Sequence, residues 1–424
     1  SDWRSAKQVE GKRVMVIGNG ESAADIAADS GDLAESVVLW ARRPIPMAPR
    51  FTNVNSRDEL AAMKAGTRGA DYKVWEFLEI STTTPISQIQ SPKSYNAKRL
   101  YLFKKLMNMK TYDAPHLLGV ICTNAIENTP GGMVRSDQIF AVPKSARMLT
   151  AAAAGKIDLV VAKKAKFEGT KVTFSEFSQK GFQYPMDPRY QETREIDIII
   201  HCTGFKNDFS WLKGVKFEWN PRSWFKNSIV PGYEDKLAFL GWTRPHQGGI
   251  PACSEMLSRY LAMIWTGEKK LPEDWVEQAK EEGETLNEYY AEAGGFPTVV
   301  DYPSFMTAMS ELIGCQPRRP SIFNVKRLVQ YYTFPMWPAW FRTRGPAARP
   351  EIIHKELQRH GMLDGIGPKA LTGLYGSVVV RDALYQAFIG NPLFYIFSFF
   401  GTFGKNLGGG WYWAKSKRYA GEHG

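Results

Sequence analysis

The chain has 424 residues, more than a single hydrophobic core usually serves, so two domains or one domain with large insertions is expected. Apolar residues make up 44% and charged residues 23%, which is ordinary for a globular protein, and the net charge of +11 suits a phosphorylated cofactor or an anionic membrane surface. The sequence lacks long basic runs and nucleic-acid-binding signatures, and its cysteine and histidine spacings fit no metal site, dithiol centre or disulfide framework, so those classes are excluded.

The first 43 residues alternate between strand-like and helix-like patterns. Residues 12–18 form a short apolar run between charge and glycine, which predicts a buried parallel strand. The alanine-rich stretch 21–30 predicts a helix that follows a glycine turn, and residues 36–43 predict a second strand. Because strand, turn, helix and strand follow one another so closely, they indicate a βαβ unit and an α/β, Rossmann-like fold.

The turn inside this unit carries a dinucleotide-binding pattern. Gly18, Gly20 and Ala23 fit G-x-G-x-x-A. The first glycine makes the tight turn, the second lets the backbone approach a pyrophosphate, and the small third residue lets helix and strand pack closely. The alternative is an ordinary glycine turn of an α/β protein. The predicted cofactor-binding residues of this turn are Gly18, Asn19, Gly20, Glu21, Ser22 and Ala23.

The end of the second strand selects between NADPH and NADH. An NAD site places Asp or Glu there to bind the ribose 2′-hydroxyl, whereas this chain has Arg42 and Arg43. A guanidinium is permanently charged and can bond two phosphate oxygens at once. The pair therefore predicts a 2′-phosphate site and NADPH, the alternative being that both arginines are solvated turn residues.

The middle of the chain continues the α/β pattern around a large insertion. Residues 44–150, with many Pro, Asn and Ser, are predicted to form this insertion and to contain some helices. The further predicted elements are a hairpin over 156–177, a buried strand over 195–205, a strand over 236–242, an amphipathic helix over 251–267 and a solvated helix over 272–295.

Six segments recur in an order that is known from one family. They are "SDWRSAKQVEGKRVMVIGNGESAADIA", "ARRPIPMAPR", "EIDIIIHCTGF", "LAFLGWTRPHQGGIPACSEMLSRYLAMIWTGEKKLP", "VVDYPSFMTAMSELIGCQP" and "FRTRGPAARPEI". In this order they resemble the flavin-containing monooxygenases, class B flavoproteins with two dinucleotide-binding domains. The resemblance covers residues 1–352 and implies an oxidoreductase that binds NADP and FAD.

The resemblance also implies a reaction. NADPH would reduce FAD by hydride transfer, reduced flavin would capture dioxygen as a flavin hydroperoxide, and the oxygen would pass to an amine nitrogen, a sulfide sulfur or a ketone. His246 and Glu255 could be acid and base, but a structural histidine and an exposed helix carboxylate are the preferred interpretation, so the catalytic residues stay unassigned. The residues that the resemblance places near the flavin are Thr203, Gly204, Phe205, Gly248 and Gly249.

The chain departs from the family at the FAD site. The sequence contains no second fingerprint in which a strand, a G-x-G-x-x-G turn and a helix follow one another. The glycine pattern at 365–370 is not preceded by an apolar strand. The FAD site is therefore expected from a segment upstream of Ser1 or from a second chain. The alternative is a catalytically silent structural subunit of a larger assembly, derived from a monooxygenase. The predicted domains are an NADPH-binding domain over 1–205, a returning part of the FAD-domain fold over 206–318 and a C-terminal extension over 319–424.

The aromatic-rich C-terminal extension contains an uncharged stretch over 383–404. It is long enough to cross a bilayer, but Gly390, Asn391 and Pro392 would break a spanning helix, and aromatic and basic residues follow it. Three alternatives follow for this segment: membrane contact through 383–413 within one leaflet, a buried core segment or a partner interface, and burial against protein or a partner is the preferred interpretation. The absence of a signal peptide and the unpaired cysteines predict a cytoplasmic protein that is at most peripheral to a membrane.

Overall fold

The computed structural model describes part of the chain, in two compact units. The described residues are 2–18, 20–42, 48–49, 65, 144–145, 147–177, 187, 189–234, 236–245, 248–290, 298–324, 331, 336, 338–351, 353 and 355. The described part of the first unit ends at Lys213, and that of the second begins at Gly214. No helix among the described residues is long and apolar enough to cross a membrane, and the segment 383–413, for which membrane contact was considered, lies outside them.

The first unit is built on a six-stranded sheet of order β7-β6-β5-β2-β1-β8. Strands β5, β2, β1 and β8 run parallel, whereas β6 and β7 continue the sheet in antiparallel fashion, and the short β3 and β4 pair separately. The strands are β1 (Arg13–Ile17), β2 (Ser36–Ala41), β3 (Ala48–Pro49), β4 (Lys144–Ser145), β5 (Asp158–Glu168), β6 (Lys171–Phe177), β7 (Gln191–Glu195) and β8 (Ile198–His201).

Helix α1 (Glu21–Ser30) joins β1 to β2 and completes the predicted βαβ unit. Its buried face consists mainly of alanines, whose small side chains let the helix lie close to the sheet, while the centre of β1 is fully buried. A second helix, α2 (Met148–Ala153), packs against α1, and Asp32 just beyond α1 accepts bonds from Arg147 and Lys156. The structure confirms the α/β, Rossmann-like fold, and the predicted hairpin over 156–177 is β5–β6.

Strand β8 differs from its prediction. The segment 195–205 is predicted to be one buried strand, but Glu195 is the last residue of β7, and β8 covers only Ile198–His201 and forms an edge of the described sheet. Ile199 is 38% exposed and His201 is also exposed. The prediction was wrong about burial because an apolar run fits both a central strand and an edge strand, and only the neighbouring elements distinguish the two.

The described residues of the second unit include three helices that pack around one core. Helices α3 (Ile250–Trp265) and α5 (Tyr302–Ile313) contact each other, and a short parallel pair, β9 (Arg244–Pro245) with β10 (Val299–Val300), precedes them. Helix α4 (Trp275–Tyr289) lies against the 3-10 turn Pro221–Ser223. The side chains that α3 and α5 bury in this core include Met256, Leu257, Tyr260, Phe305, Met306, Met309 and Ile313.

Two predictions for this unit need correction. Residues 236–242 do not form a strand, since their only described ladder contact is an isolated bridge between Ile229 and Ala238. The predicted solvated helix at 272–295 is α4, which buries Trp275, Ala279 and Leu286. Between its charged residues α4 carries an apolar stripe at helical spacing, which packs on the core. Most of its described charged residues face water, whereas Glu282 pairs with the buried Lys226.

Candidate dinucleotide-binding site

Gly18, directly after β1, is fixed by the packing of the sheet. Its φ of +145° is one that other residues rarely adopt. A Cβ there would collide with the carbonyl oxygen of Cys202 and lie 3.2 Å from the Ala23 Cβ. The Gly18 N–H donates to the Trp40 carbonyl at 3.0 Å, and the Cys202 N–H donates to the Ile17 carbonyl at 2.8 Å. Gly18 and Ala23 are therefore small because strand, turn and helix meet there.

Gly20, the N-cap of α1, has free space next to its Cα. It has an ordinary extended conformation (φ −90°, ψ −179°), and a Cβ placed on it would meet nothing within 4 Å. Gly20 supplies no side-chain cap to α1, and the partial positive charge of this helix N-terminus suits an anion. Ser22 is exposed in this turn. The carboxylate of Glu21 would repel a phosphate, so only its backbone N–H suits that ligand.

Arg42 lies at the same end of the sheet as the glycine turn. Strands β1 and β2 pair in parallel with Ile17 opposite Trp40, so the carboxyl ends of both strands lie side by side. The Trp40 indole N–H donates to the Ala162 carbonyl at 2.8 Å and fixes the end of β2 on β5. Arg42, two residues later, is exposed to solvent. Asn19 and Arg43, the other predicted residues here, lie outside the described residues.

Thr203, Gly204 and Phe205 follow β8 on the other side of β1. His201 pairs with Ile17 in parallel, so this segment leaves the sheet at the carboxyl end of β8, next to the glycine turn. All three residues are exposed, and Gly204 has a φ of +88°. The fold therefore brings three predicted segments together at the carboxyl ends of neighbouring strands. These are the glycine turn after β1, the arginine after β2 and the Thr-Gly-Phe segment after β8, which are far apart in sequence.

The second unit holds Gly248 and Gly249, just before α3. Gly248 has a φ of +97°, and a Cβ on it would lie 2.6 Å from the Cδ2 atom of Tyr302. Tyr302 is buried, and its hydroxyl donates to the Met336 carbonyl at 2.8 Å. Burial raises the pKa of this hydroxyl. Gly249 is less crowded, with the Pro251 Cδ at 3.6 Å from the position of a Cβ.

Tyr302 is a residue that the sequence interpretation missed. The motif "VVDYPSF" was noted only as a family segment, and nothing in it indicates a partner 54 positions upstream. The signal in the sequence is a large aromatic residue at the first position of a helix, directly after an Asp that caps it. Asp301 accepts bonds from the Ser304 N–H at 3.0 Å and the Ser304 hydroxyl at 2.7 Å. This cap places the Tyr302 ring against Gly248.

Glu255, considered above as an acid or base, takes part in an ion pair. Its Oε1 accepts a bond from the Arg342 Nε at 2.7 Å, and Arg342 also donates to the Ala347 carbonyl at 3.2 Å. Arg259, one turn further along α3, donates to the carbonyls of Phe341 and Pro346. The polar side of α3 therefore attaches residues 341–347 to the helix, which fits the structural interpretation of Glu255. His246 lies outside the described residues.

Comparisons with known proteins identify relatives. Residues 187–357 match the family model "FMO-like: Flavin-binding monooxygenase-like". The chain is 29% identical over 352 residues to a 4-hydroxybenzoate brominase (decarboxylating) from Marinomonas mediterranea, covering 82% of this chain and 60% of that protein. It is 24% identical to flavin-containing monooxygenase 3 from Homo sapiens, covering 82% of this chain and 58% of that protein. The chain thus spans about three fifths of the length of these relatives.

Solved structures give a slighter likeness. S-allyl-L-cysteine S-oxygenase from Allium sativum matches 91% of this chain and 57% of its own chain, with 14% identity and a TM-score of 0.36, which is too low to support an argument. The likeness to a family therefore rests on the sequence matches. Because the family model covers the region of β7 to α5 and the curated relatives align over 82% of the chain, the protein is similar to the flavin-containing monooxygenases over most of its length.

Proposed function

We propose that this chain binds NADPH for a flavin-dependent monooxygenase. The observation that carries the proposal is the free space around Gly20, where a Cβ would meet nothing within 4 Å. Gly20 is the N-cap of α1 and lies at the same end of the sheet as Arg42. A pyrophosphate needs close backbone approach and N–H donors, and a 2′-phosphate needs a cation at the end of the second strand. Gly20, the N–H group of Ser22 and the Arg42 guanidinium meet these needs.

Each of these residues has a separate task in binding. The α1 N-terminus contributes partial positive charge to the pyrophosphate without a titratable group. Arg42 is permanently charged and separates NADPH from NADH by its affinity for the additional phosphate. Gly18 and Ala23 keep α1 close to the sheet and so set the height of its first turn. None of these residues donates or accepts a proton in the reaction, so their effect is on binding and orientation.

FAD is the second cofactor of the proposal. A bound FAD would supply the redox and oxygen chemistry that oxidises the substrate. Gly248 does not fit a flavin-contacting role, because the Tyr302 ring fills the space next to its Cα. Gly249 fits such a role better, as the N-cap of α3 without a side-chain cap. The rest of the FAD site is expected from a segment upstream of Ser1 or from a partner chain.

The proposed substrate is a soft nucleophile, an amine nitrogen or sulfide sulfur, or a ketone. A second candidate is oxidation of bromide, itself a soft nucleophile, because two of the relatives are named 4-hydroxybenzoate brominase (decarboxylating). Absorption at the flavin wavelengths and NADPH consumption with an amine, a sulfide, a ketone or bromide would separate these reactions. Nucleotide binding without flavin and without NADPH consumption would favour the silent structural subunit.

The test of the proposed NADPH site is the nucleotide selectivity of Arg42→Ala. Losing a charge-assisted bond to the 2′-phosphate should raise the Kd for NADPH about tenfold, or about 1.4 kcal/mol, and leave the Kd for NADH unchanged. Arg189→Ala is the matched control, since it removes an exposed arginine that pairs with Asp187. Equal losses for both nucleotides, or the same loss in the control, would contradict the 2′-phosphate role.

A further inference from the structure

Phe205 is the most exposed large apolar side chain among the described residues of the first unit. It is 89% exposed, four residues after the end of β8. The left-handed conformation of Gly204 turns the chain just before it. A phenyl ring exposed just beyond the carboxyl end of a parallel strand is accessible to a ligand that binds in the crevice there.

The order of the strands defines where such a ligand would lie. Helix α1 leads from β1 to β2, on one side of β1, while β8 flanks β1 on the other side. The boundary between β1 and β8 is therefore a topological switch point, and ligands of open α/β sheets bind in the crevice outside the carboxyl ends of the strands there. Phe205 is three residues beyond Cys202, whose backbone lies directly against Gly18.

The Arg42 guanidinium and the N-terminus of α1 would orient a dinucleotide in this crevice. This step rests on the proposed function. If Arg42 binds the 2′-phosphate, the adenosine half lies over the end of β2. The pyrophosphate then lies at Gly20 on the axis of β1. The other half of the molecule extends across β1 toward its opposite neighbour, β8, and so toward Phe205.

We infer that Phe205 stacks on the nicotinamide ring of the bound dinucleotide. Both rings are flat and aromatic, and offset or edge-to-face contact between such rings is favourable. The oxidised nicotinamide also carries positive charge, which is attracted to the electron-rich face of a phenyl ring. Phe205 would thereby hold the reactive half of the nucleotide at the switch point, while Arg42 and the glycine turn hold the other half.

The test compares two ligands that share the adenosine half. NADP⁺ has the nicotinamide, whereas adenosine 2′,5′-bisphosphate lacks it but keeps the 2′-phosphate expected at Arg42 and one phosphate of the pyrophosphate expected at Gly20. Calorimetric titration of the full chain should show that Phe205→Ala raises the Kd for NADP⁺ about tenfold, or about 1.4 kcal/mol, and leaves the Kd for adenosine 2′,5′-bisphosphate unchanged. Phe205→Tyr keeps the ring and should retain the affinity for NADP⁺.

Phe323→Ala is the matched control, since Phe323 is 91% exposed in the second unit, and its affinity for NADP⁺ should equal that of the wild type. An unchanged affinity of Phe205→Ala for NADP⁺, an equal loss for both ligands, or an equal loss in Phe323→Ala would overturn the stacking role and leave the proposed function standing. If the unaltered chain binds neither ligand, the proposed function fails, and the inference fails with it.

Discussion

The two units each contain a pair of glycines before a helix, and the pairs are built alike. Gly18 in the first unit and Gly248 in the second have positive φ and no space for a side chain. Gly20 and Gly249 have ordinary φ values and no such collision. In each unit one glycine is required by the fold, and the other is available to a ligand. A glycine in a sequence pattern is therefore not in itself a binding residue.

The partners of the packed glycines differ, and the reason is the sheet. Gly18 leaves a five-residue strand with neighbours on both sides, and the backbone of one neighbour occupies the space next to it. The strand before Gly248 is only two residues long, so a side chain, the Tyr302 ring, occupies the corresponding space. Backbone packing fixes the first turn, and an aromatic side chain fixes the second.

Substitution of a packed glycine gives the largest expected effect. Gly248→Ala combines a left-handed backbone with a clash against a buried ring, so it should lower the free energy of unfolding by about 3 kcal/mol. Gly249→Ala, its neighbour and control, should change this free energy by less than about 0.5 kcal/mol. Urea denaturation measures both values. Equal effects of the two substitutions would contradict the distinction between a packed and an open glycine.

The same comparison in the first unit separates folding from binding. Gly20→Ala places a methyl group in open space, so its unfolding midpoint should match that of the wild type. If a pyrophosphate lies there, its Kd for NADPH should nevertheless rise at least about tenfold, or about 1.4 kcal/mol. Gly18→Ala should instead lose stability, because its Cβ meets the Cys202 backbone. Unchanged NADPH affinity in Gly20→Ala would remove the glycine turn from the binding site.

The smallest expected effect concerns the ion pair that joins the starts of β1 and β8. The Arg13 guanidinium donates to Asp197 at 2.6 and 3.1 Å, and the Arg13 backbone N–H donates at 2.9 Å. These bonds hold the pKa of Asp197 well below its ordinary value. Since the folded pKa is the lower one, the stabilisation is present above the unfolded pKa of about 3.9 and is lost as the pH falls through the folded value.

Asp197→Asn should therefore reduce the stability difference between pH 6 and pH 2 in denaturation curves of the protein. The control is Asp187→Asn, which removes a carboxylate whose pKa is also lowered, there by Arg189 two residues away. Because that pair is local in sequence, we expect a smaller change in the pH dependence. A pH dependence of Asp197→Asn identical to that of the wild type would show that the β1–β8 pair adds nothing to acid stability.

The sequence alone determined the parts that depend on local pattern. Apolar runs and alanine spacing predicted β1, α1 and β2 nearly to the residue, and the turn "EGT" predicted the β5–β6 hairpin, since these elements are specified by residues close together in the chain. The order of short motifs predicted the similarity to the flavin-containing monooxygenases that the sequence matches support. The glycine turn and the arginines were likewise proposed from their positions after strands.

Only the tertiary structure decided which residues meet. The edge position of β8, the buried face of α4 and the absence of a strand over 236–242 depend on neighbours distant in sequence, and so do the Tyr302 contact at Gly248 and the Arg342 contact at Glu255. A glycine is compatible with a ligand, a ring or a strand at its Cα. What occupies that space is set by the packing of the whole unit, because side-chain burial depends on contacts over long sequence separations.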